Sequence, residues 1–374
     1  MITKMNPVPP KNFSDLLGRP QLKITGLRIR NLRPIVHLSL PEDGISWEGE
    51  FPALCVIAGN NGSGKTTLLD FLYWVFQTLA TTNKNFNVDG LFNQFPERWF
   101  GVDAEIDLSI TLPQQAPTDI RIMVKELPDG HLFVEPDTEL LIIYPRGVKS
   151  FVALTKGPVA EVAAHGRIAK DLYQLIIAGK VPSGVVYIPS GTRAVTVGDR
   201  DDKRAGPMEE LTAFAYRWYR PERWKNSLES LLYSARWEDL NAIQNGHPEE
   251  ATRSAMFTAA FERYFGKTKT LKWSNRGELF VEIASSKEQH GLDQLSAGEQ
   301  QMLVLVGDLM YRWQPGSIIL IDEPELHFHS AWQGYFWEFL REMLRERGGQ
   351  VLLASQSADL FSAAELGERL ILGM

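Results

Sequence analysis

The chain has 374 residues, 44% hydrophobic and 23% charged, with a formal net charge of −7 and a pI near 5.6. This balance fits a globular protein of one large or two medium domains and excludes a polycation that coats nucleic acid through bulk charge, so any such contact has to be a local patch. One cysteine, Cys55, excludes a disulfide framework or a thiolate metal cluster within a single chain.

Met1-Ile2-Thr3-Lys4-Met5-Asn6-Pro7 lacks the apolar block of a signal peptide, and nowhere do about 18 apolar residues run together, so the expected location is the cytoplasm, away from any membrane. From Leu22 to Leu40 apolar residues alternate in places (Leu22, Ile24, Leu27, Ile29, then Ile35, Leu38, Leu40) around Pro34, which predicts two short strands joined by a turn. Arg28, Arg30 and Arg33 there could meet a nucleotide or an external polyanion, or simply be solvated on an edge strand.

Leu54-Cys55-Val56-Ile57-Ala58 is an apolar run suited to a buried parallel strand, and Leu68, Leu69, Leu72, Val75, Phe76 and Leu79 recur at helical spacing. Between them Gly59-Asn60-Asn61-Gly62-Ser63-Gly64-Lys65-Thr66 fits the phosphate-binding pattern G-x-x-x-x-G-K-[ST]. The glycines let successive backbone N–H groups turn inward toward phosphate oxygens, with the positive end of a helix behind them. The candidate ATP site is therefore Asn60, Asn61, Gly62, Ser63, Gly64, Lys65, Thr66 and Thr67. Lys65 would reach the β- and γ-phosphates, and the Thr66 hydroxyl is the expected magnesium ligand.

Strand-like stretches follow at 104–112, 120–127 and 132–144, punctuated by Pro113, Pro117, Pro128 and Gly130, which predicts an antiparallel lobe. Residues 161–178 read as helix and 184–188 as a short strand ending at Pro189. Between Gly198 and Gly266 the period turns helical, a candidate inserted subdomain opened by the charged, Gly/Pro-marked loop 199–207. Within it Tyr216-Arg217-Trp218-Tyr219-Arg220-Pro221-Glu222-Arg223-Trp224-Lys225 interleaves bases with aromatics, and partner docking, core packing and nucleic-acid contact all stay open.

Strand signal returns at 279–283, and Leu295-Ser296-Ala297-Gly298-Glu299-Gln300-Gln301 precedes a helix from Met302 to Trp313, with Ser296 and Glu299 spaced as a capping box. Ser317-Ile318-Ile319-Leu320-Ile321-Asp322-Glu323-Pro324 is an apolar strand delivering an acidic pair at its C-terminal end, where open α/β sheets place their ligands. Asp322 would help to hold magnesium, directly or through water, and Glu323 would orient or deprotonate the attacking water.

Taken in order, these three motifs resemble those of ABC-type ATPases, whose signature Leu-Ser-Ala-Gly-Glu-Gln places Ser296 and Gly298 against the γ-phosphate held by another subunit. Ile321-Asp322-Glu323-Pro324-Glu325-Leu326-His327-Phe328-His329 is similar to the acidic motif of the overcoming-lysogenisation-defect group, which includes stand-alone ATPases of antiphage systems. Leu27-Arg28-Ile29-Arg30-Asn31-Leu32-Arg33 resembles the first strand of that group and of RecF and SMC heads, and Tyr187-Ile188-Pro189-Ser190-Gly191-Thr192-Arg193 a segment after its first lobe. The resemblance implies Gln94 as the glutamine completing the magnesium shell, a plain loop residue being the alternative. It also makes His327 and His329 subunit-contact residues, the alternative being a metal pair.

Two departures modify this expectation. The switch position, usually Thr-His-Ser, reads Ala354-Ser355-Gln356-Ser357; glutamine can bond a γ-phosphate but carries no imidazole charge or proton, so Gln356 predicts slow turnover. The chain stops at Met374, leaving no room for the TOPRIM nuclease domain of many relatives, so a separate effector polypeptide is expected to supply any nucleolytic activity.

The expected fold is α/β, a P-loop NTPase of ABC-ATPase type with a mixed central sheet, an antiparallel lobe and an inserted helical subdomain. Residues 1–197 and 271–374 would form the two parts of the head, and 198–270 the helical insert. The resemblance implies an ATPase using ATP and Mg2+, a head-to-tail homodimer or higher assembly, and a sensor or scaffold role in antiphage defence. A RecF-like DNA-repair clamp and a non-hydrolysing ATP-stabilised scaffold are the alternatives.

Overall fold

The computed structural model describes residues 21–40, 51–81, 99, 101–111, 118–127, 140–145, 152–155, 184–190, 215–217, 236–237, 239–241, 243–244, 246, 253–264, 268–274, 279–326, 328 and 330–373. The described strands form three sheets: a parallel one that carries the motifs, a six-stranded N-terminal one that shares one face of it with the helix after the phosphate loop, and a three-stranded antiparallel one over residues 269–290 that packs with the later helices on the other face.

The alternation around Pro34 produces strands β1 (Gln21–Leu32) and β2 (Ile35–Leu40), and the apolar run before the phosphate loop is β3 (Leu54–Gly59). Helix α1 (Lys65–Thr81) follows, then β4 (Asp103–Thr111), β5 (Thr118–Leu127), β6 (Leu140–Pro145), β7 (Val152–Thr155), β8 (Val185–Ile188) and β9 (Ala215–Arg217). Helix α2 (Arg253–Tyr264) leads to β10 (Lys269–Trp273), β11 (Leu279–Ile283) and β12 (Gln289–His290). The last part holds α3 (Ala297–Arg312), β13 (Ile318–Asp322), α4 (Ser330–Arg347), β14 (Gln350–Ala354), α5 (Ala358–Ala363) and β15 (Arg369–Leu372).

The central sheet runs β15-β3-β14-β13-β8-β9, and every neighbouring pair in it is parallel. A mixed central sheet was the expectation; parallel pairing throughout brings the C-terminal ends of β3, β13 and β14 to one rim. The mixed sheet is instead the N-terminal one, β2-β1-β4-β5-β6-β7. Its members pair antiparallel except β5 and β6, which run parallel. β1 lies between β2 and β4 and is therefore no edge strand, and Arg28 reaches Glu105 and Asp107 of β4, 3.0 Å each. The helical period read over 198–266 is also broken, because β9 joins the central sheet there; the other described residues of that span are largely helical. The helix expected at 161–178 lies outside the described residues.

Strand periodicity divides the core in two. Cys55, Ile57, Ile318, Leu320 and Leu352 face α1 and the N-terminal sheet, joining Leu69, Leu72, Val75, Ile29 and Ile106. Their neighbours Leu54, Val56, Ile319, Ile321 and Leu353 face the other way, toward Phe257 and Phe261 of α2, Leu305 and Leu309 of α3, and Phe336 and Leu340 of α4. The two sheets are stitched by a buried amide. Gln350 Oε1 accepts from the Ile24 N–H at 2.9 Å, and its Nε2 donates to the Ile24 and Pro52 carbonyls at 3.0 and 3.1 Å. No helix among the described residues is long and apolar enough to cross a membrane.

Candidate functional site

The loop between β3 and α1 takes the conformation its glycines permit. Gly62 and Gly64 have φ of 81° and 100°, and a Cβ on Gly64 would stand 2.7 Å from Ile35 Cγ1 of β2. The turn tightens through the Ser63 N–H donating to the Asn60 carbonyl at 3.0 Å, and α1 begins with the Leu68 N–H on the Gly64 carbonyl at 2.8 Å. The N-terminus of α1 thus stands directly behind the loop, where the first N–H groups of a helix suit an anion. Lys65 is buried, and its Nζ donates to the carbonyls of Gly59 (2.6 Å) and Asn60 (3.1 Å), folding the ammonium over the loop. Asn60, Asn61 and Thr66 are exposed and Thr67 is partly so.

The acidic strand meets the loop directly. Asp322 ends β13, fully buried, in register with Ala354 of β14. Its Oδ2 accepts from the Thr66 hydroxyl at 2.9 Å and from the Ser190 hydroxyl at 2.7 Å. Two hydroxyls and one carboxylate form a hard-oxygen set of the kind magnesium takes alongside nucleotide phosphates, so the residues present fit that ion. Among the described residues no cluster of three or more His, Cys, Asp or Glu side chains could hold a metal by itself.

Glu323 departs from the strand with φ of 45°, a left-handed conformation costly for a residue with a side chain, while its N–H still bonds the Ala354 carbonyl at 2.7 Å. This kink lifts its carboxylate off the sheet, and Oε1 accepts a hydrogen bond from Gln356 Nε2. Thus Lys65, Thr66, Asp322, Glu323 and Gln356, distant in sequence, stand together at the C-terminal rim of β3, β13 and β14.

Ser296 caps α3, and the capping box is fully formed: Glu299 N–H donates to Ser296 Oγ, and Glu299 Oε2 accepts from the Ser296 N–H and hydroxyl at 2.9 Å each. Burial alone would raise the Glu299 carboxyl, but hydrogen bonds from Lys269 and from Ser296 outweigh it and hold the group below the usual carboxylate range. Gly298 lies in the first turn of α3, which packs on the face of the sheet opposite α1. Gln94, His327 and His329 lie outside the described residues.

Two residues that the structure brings into the candidate site escaped the sequence reading. Ser190 lies in a segment quoted only for its resemblance; its place one strand away from Asp322 could have been found had β8 been paired with β13. Glu325 holds the loop after β14, its Oε1 accepting from Ser355 Oγ (2.9 Å), Gln356 N–H (2.6 Å) and Ser357 N–H (3.2 Å). A contact spanning 30 residues leaves no local periodicity to read.

A phosphate loop on a parallel strand, with an acidic pair ending a strand of the same sheet beyond one intervening strand, is the arrangement of a P-loop nucleotide-binding fold. Residues 27–126 match a family model described as "AAA domain", and residues 271–362 match one described as "AAA domain, putative AbiEii toxin, Type IV TA system". No curated protein sequence matches the chain. Among solved structures it is similar to an SMC head bound to the C-winged helix domain of ScpA, with TM-score 0.48, 15% identity and 91% of each chain covered. It is also similar to the SMC head domain from Thermotoga maritima, with TM-score 0.43, 12% identity and 92% of each chain covered. A third is an Smc head domain with an extended coiled coil, bound to the C-terminal domain of ScpA, derived from Pyrococcus furiosus, with TM-score 0.40, 13% identity and 92% of each chain covered.

Proposed function

We propose that the protein binds ATP with Mg2+ and hydrolyses it, two copies closing head to tail around the nucleotide. The observation that carries this reading is the meeting of Lys65 and Thr66 with Asp322, Glu323 and Gln356 at one rim of the sheet. The γ-phosphate would take the Lys65 ammonium from the loop carbonyls, a neutral partner exchanged for a charged one. Thr66 and Asp322 would hold magnesium, which when bound would supply positive charge against the nucleotide's phosphates. Glu323 accepts the proton of the attacking water as its oxygen bonds the γ-phosphorus and the bond to the bridging oxygen breaks, leaving ADP and inorganic phosphate.

The dimer rests on the signature motif. Ser296 and the α3 N-terminus form a second anion-suited surface on the face of the sheet opposite α1, where a partner's nucleotide can use it. A sensor or scaffold role in antiphage defence, acting through a separate effector, draws on the resemblance of the acidic motif and on the family description that names a TA system.

Phosphate release by the wild type and by Glu323→Gln tests the ATPase reading. The variant is expected to lose about 10²–10⁴-fold in turnover while still binding nucleotide; equal rates in the two proteins refute hydrolysis at this site. The scaffold reading has one observation in its favour, that Gln356 already occupies a Glu323 oxygen, and equal near-zero rates would select it.

A further inference from the structure

We infer that Glu325 is a positioning residue for hydrolysis, a built-in anion that shapes the switch loop and aims Gln356 at Glu323; this rests on the ATPase reading above. A single oxygen, Oε1, receives the N–H groups of two consecutive residues, Gln356 at 2.6 Å and Ser357 at 3.2 Å, together with the Ser355 hydroxyl at 2.9 Å. Consecutive N–H groups converging on one point form a nest, the arrangement by which loops hold anions. Here the anion comes from the chain itself, three residues beyond Asp322, and the β13–β14 register brings it beside the loop.

The loop is bound on itself as well: the Ser357 N–H also donates to Ser355 Oγ at 2.9 Å, and Ser357 Oγ caps α5 through the Asp359 and Leu360 N–H groups. Gln356 is consequently gripped at both ends, its backbone by Glu325 and its amide by Glu323. The other Glu325 oxygen, Oε2, is buried with no hydrogen-bond partner among the described residues. A carboxylate serving only solubility or surface pairing would not bury an oxygen without a partner. The arrangement makes sense if the three donors to Oε1 are what the residue is for, because charge-assisted bonds to backbone N–H groups are the strong ones.

The mechanistic content is a division of labour between two glutamates on one short turn. Glu323 handles the water, and Glu325 fixes the backbone from which Gln356 reaches both Glu323 and the position of the γ-phosphate. Misplacing such a group by an ångström costs about a hundredfold in rate without touching substrate affinity.

The test uses the full chain as Glu325→Ala, Glu325→Gln, Gln356→Ala and the double variant Glu325→Ala with Gln356→Ala. Three quantities are measured: amide hydrogen exchange at Gln356 and Ser357, ATP affinity, and kcat with KM. Glu325→Ala is expected to exchange at least about tenfold faster at those two amides. Its kcat should fall about ten- to a hundredfold with KM nearly unchanged. Glu325→Gln keeps an acceptor oxygen and should recover part of both. The double variant should fall no further than the more impaired of the two singles, since both substitutions remove one device. Unchanged exchange, multiplicative loss in the double variant, or a loss confined to KM would overturn the assignment. If wild type and Glu323→Gln turn over equally, the ATPase reading fails and the catalytic role of Glu325 fails with it, while the exchange measurement still decides whether Glu325 shapes the loop. Should Glu325→Ala not fold, Glu325→Gln carries the same comparison, with a smaller loss and the same non-additivity with Gln356→Ala.

Discussion

At the scale of single residues, the phosphate loop shows how much a motif can announce and where it stops. The spacing of Gly62, Gly64, Lys65 and Thr66 was legible because backbone conformation and phosphate chemistry both act locally. What pins the loop was not, since Ile35 meets Gly64 only after β2 has folded against it. Gly64→Ala should therefore cost about 1–2 kcal/mol from its left-handed φ alone, and the clash with Ile35 should weaken ATP binding further, as titration with a fluorescent nucleotide would reveal. Cys55 makes a separate case. Burial first, and then the nearby Glu368 carboxylate, push its thiol from 9.0 up to about 12. A folded-state value raised above the unfolded one means the stabilisation is whole below pH 9 and is lost as pH rises toward 12. A thiol reagent at pH 8 should accordingly label the protein only after denaturant is added, and rapid labelling of the native protein would contradict this.

At the scale of elements, strands beside the motifs were readable from alternation and apolar runs, and β1, β2, β3, β8, β13 and β14 all lie near their expected places. Pairing was not readable. β5 and β6 run parallel although Pro and Gly punctuation suggested an antiparallel lobe, because punctuation marks where a strand ends and says nothing about the direction in which the chain returns. The three-residue strand β9 is too short to show a period within a helical surrounding. Gln350 was likewise invisible as a connector: at the start of an apolar strand it reads as a polar boundary, yet it is fully buried and carries three bonds to the N-terminal segment. Gln350→Leu should leave the Ile24 N–H and carbonyl without partners and lower stability by about 2–3 kcal/mol. Urea denaturation should show an earlier midpoint with an unchanged slope, whereas a reduced slope would mean the sheets had separated before global unfolding.

At the scale of the whole molecule, the two surfaces proposed to complete one nucleotide site stand at the N-termini of helices on opposite faces of one sheet, the Lys65 loop before α1 and the Ser296 cap of α3. Gly298→Asp puts an acidic side chain in the first turn of α3, where it suits the helix, and presents a negative charge to an incoming phosphate, so α3 and protomer affinity for ATP should survive. ATP-driven dimerisation in a Glu323→Gln background should be lost, a result sedimentation velocity reads directly; a dimer that persists would sink the head-to-tail arrangement. The phosphate loop also sits in a three-way junction. Ile35 from the N-terminal sheet abuts Gly64, and the Leu372 carbonyl from the far end of the described chain abuts Gly59. Neither the N-terminal sheet nor the last described strand can therefore shift against the phosphate loop without disturbing Gly64 or Gly59, which ties the shape of the loop to two segments far apart in the chain.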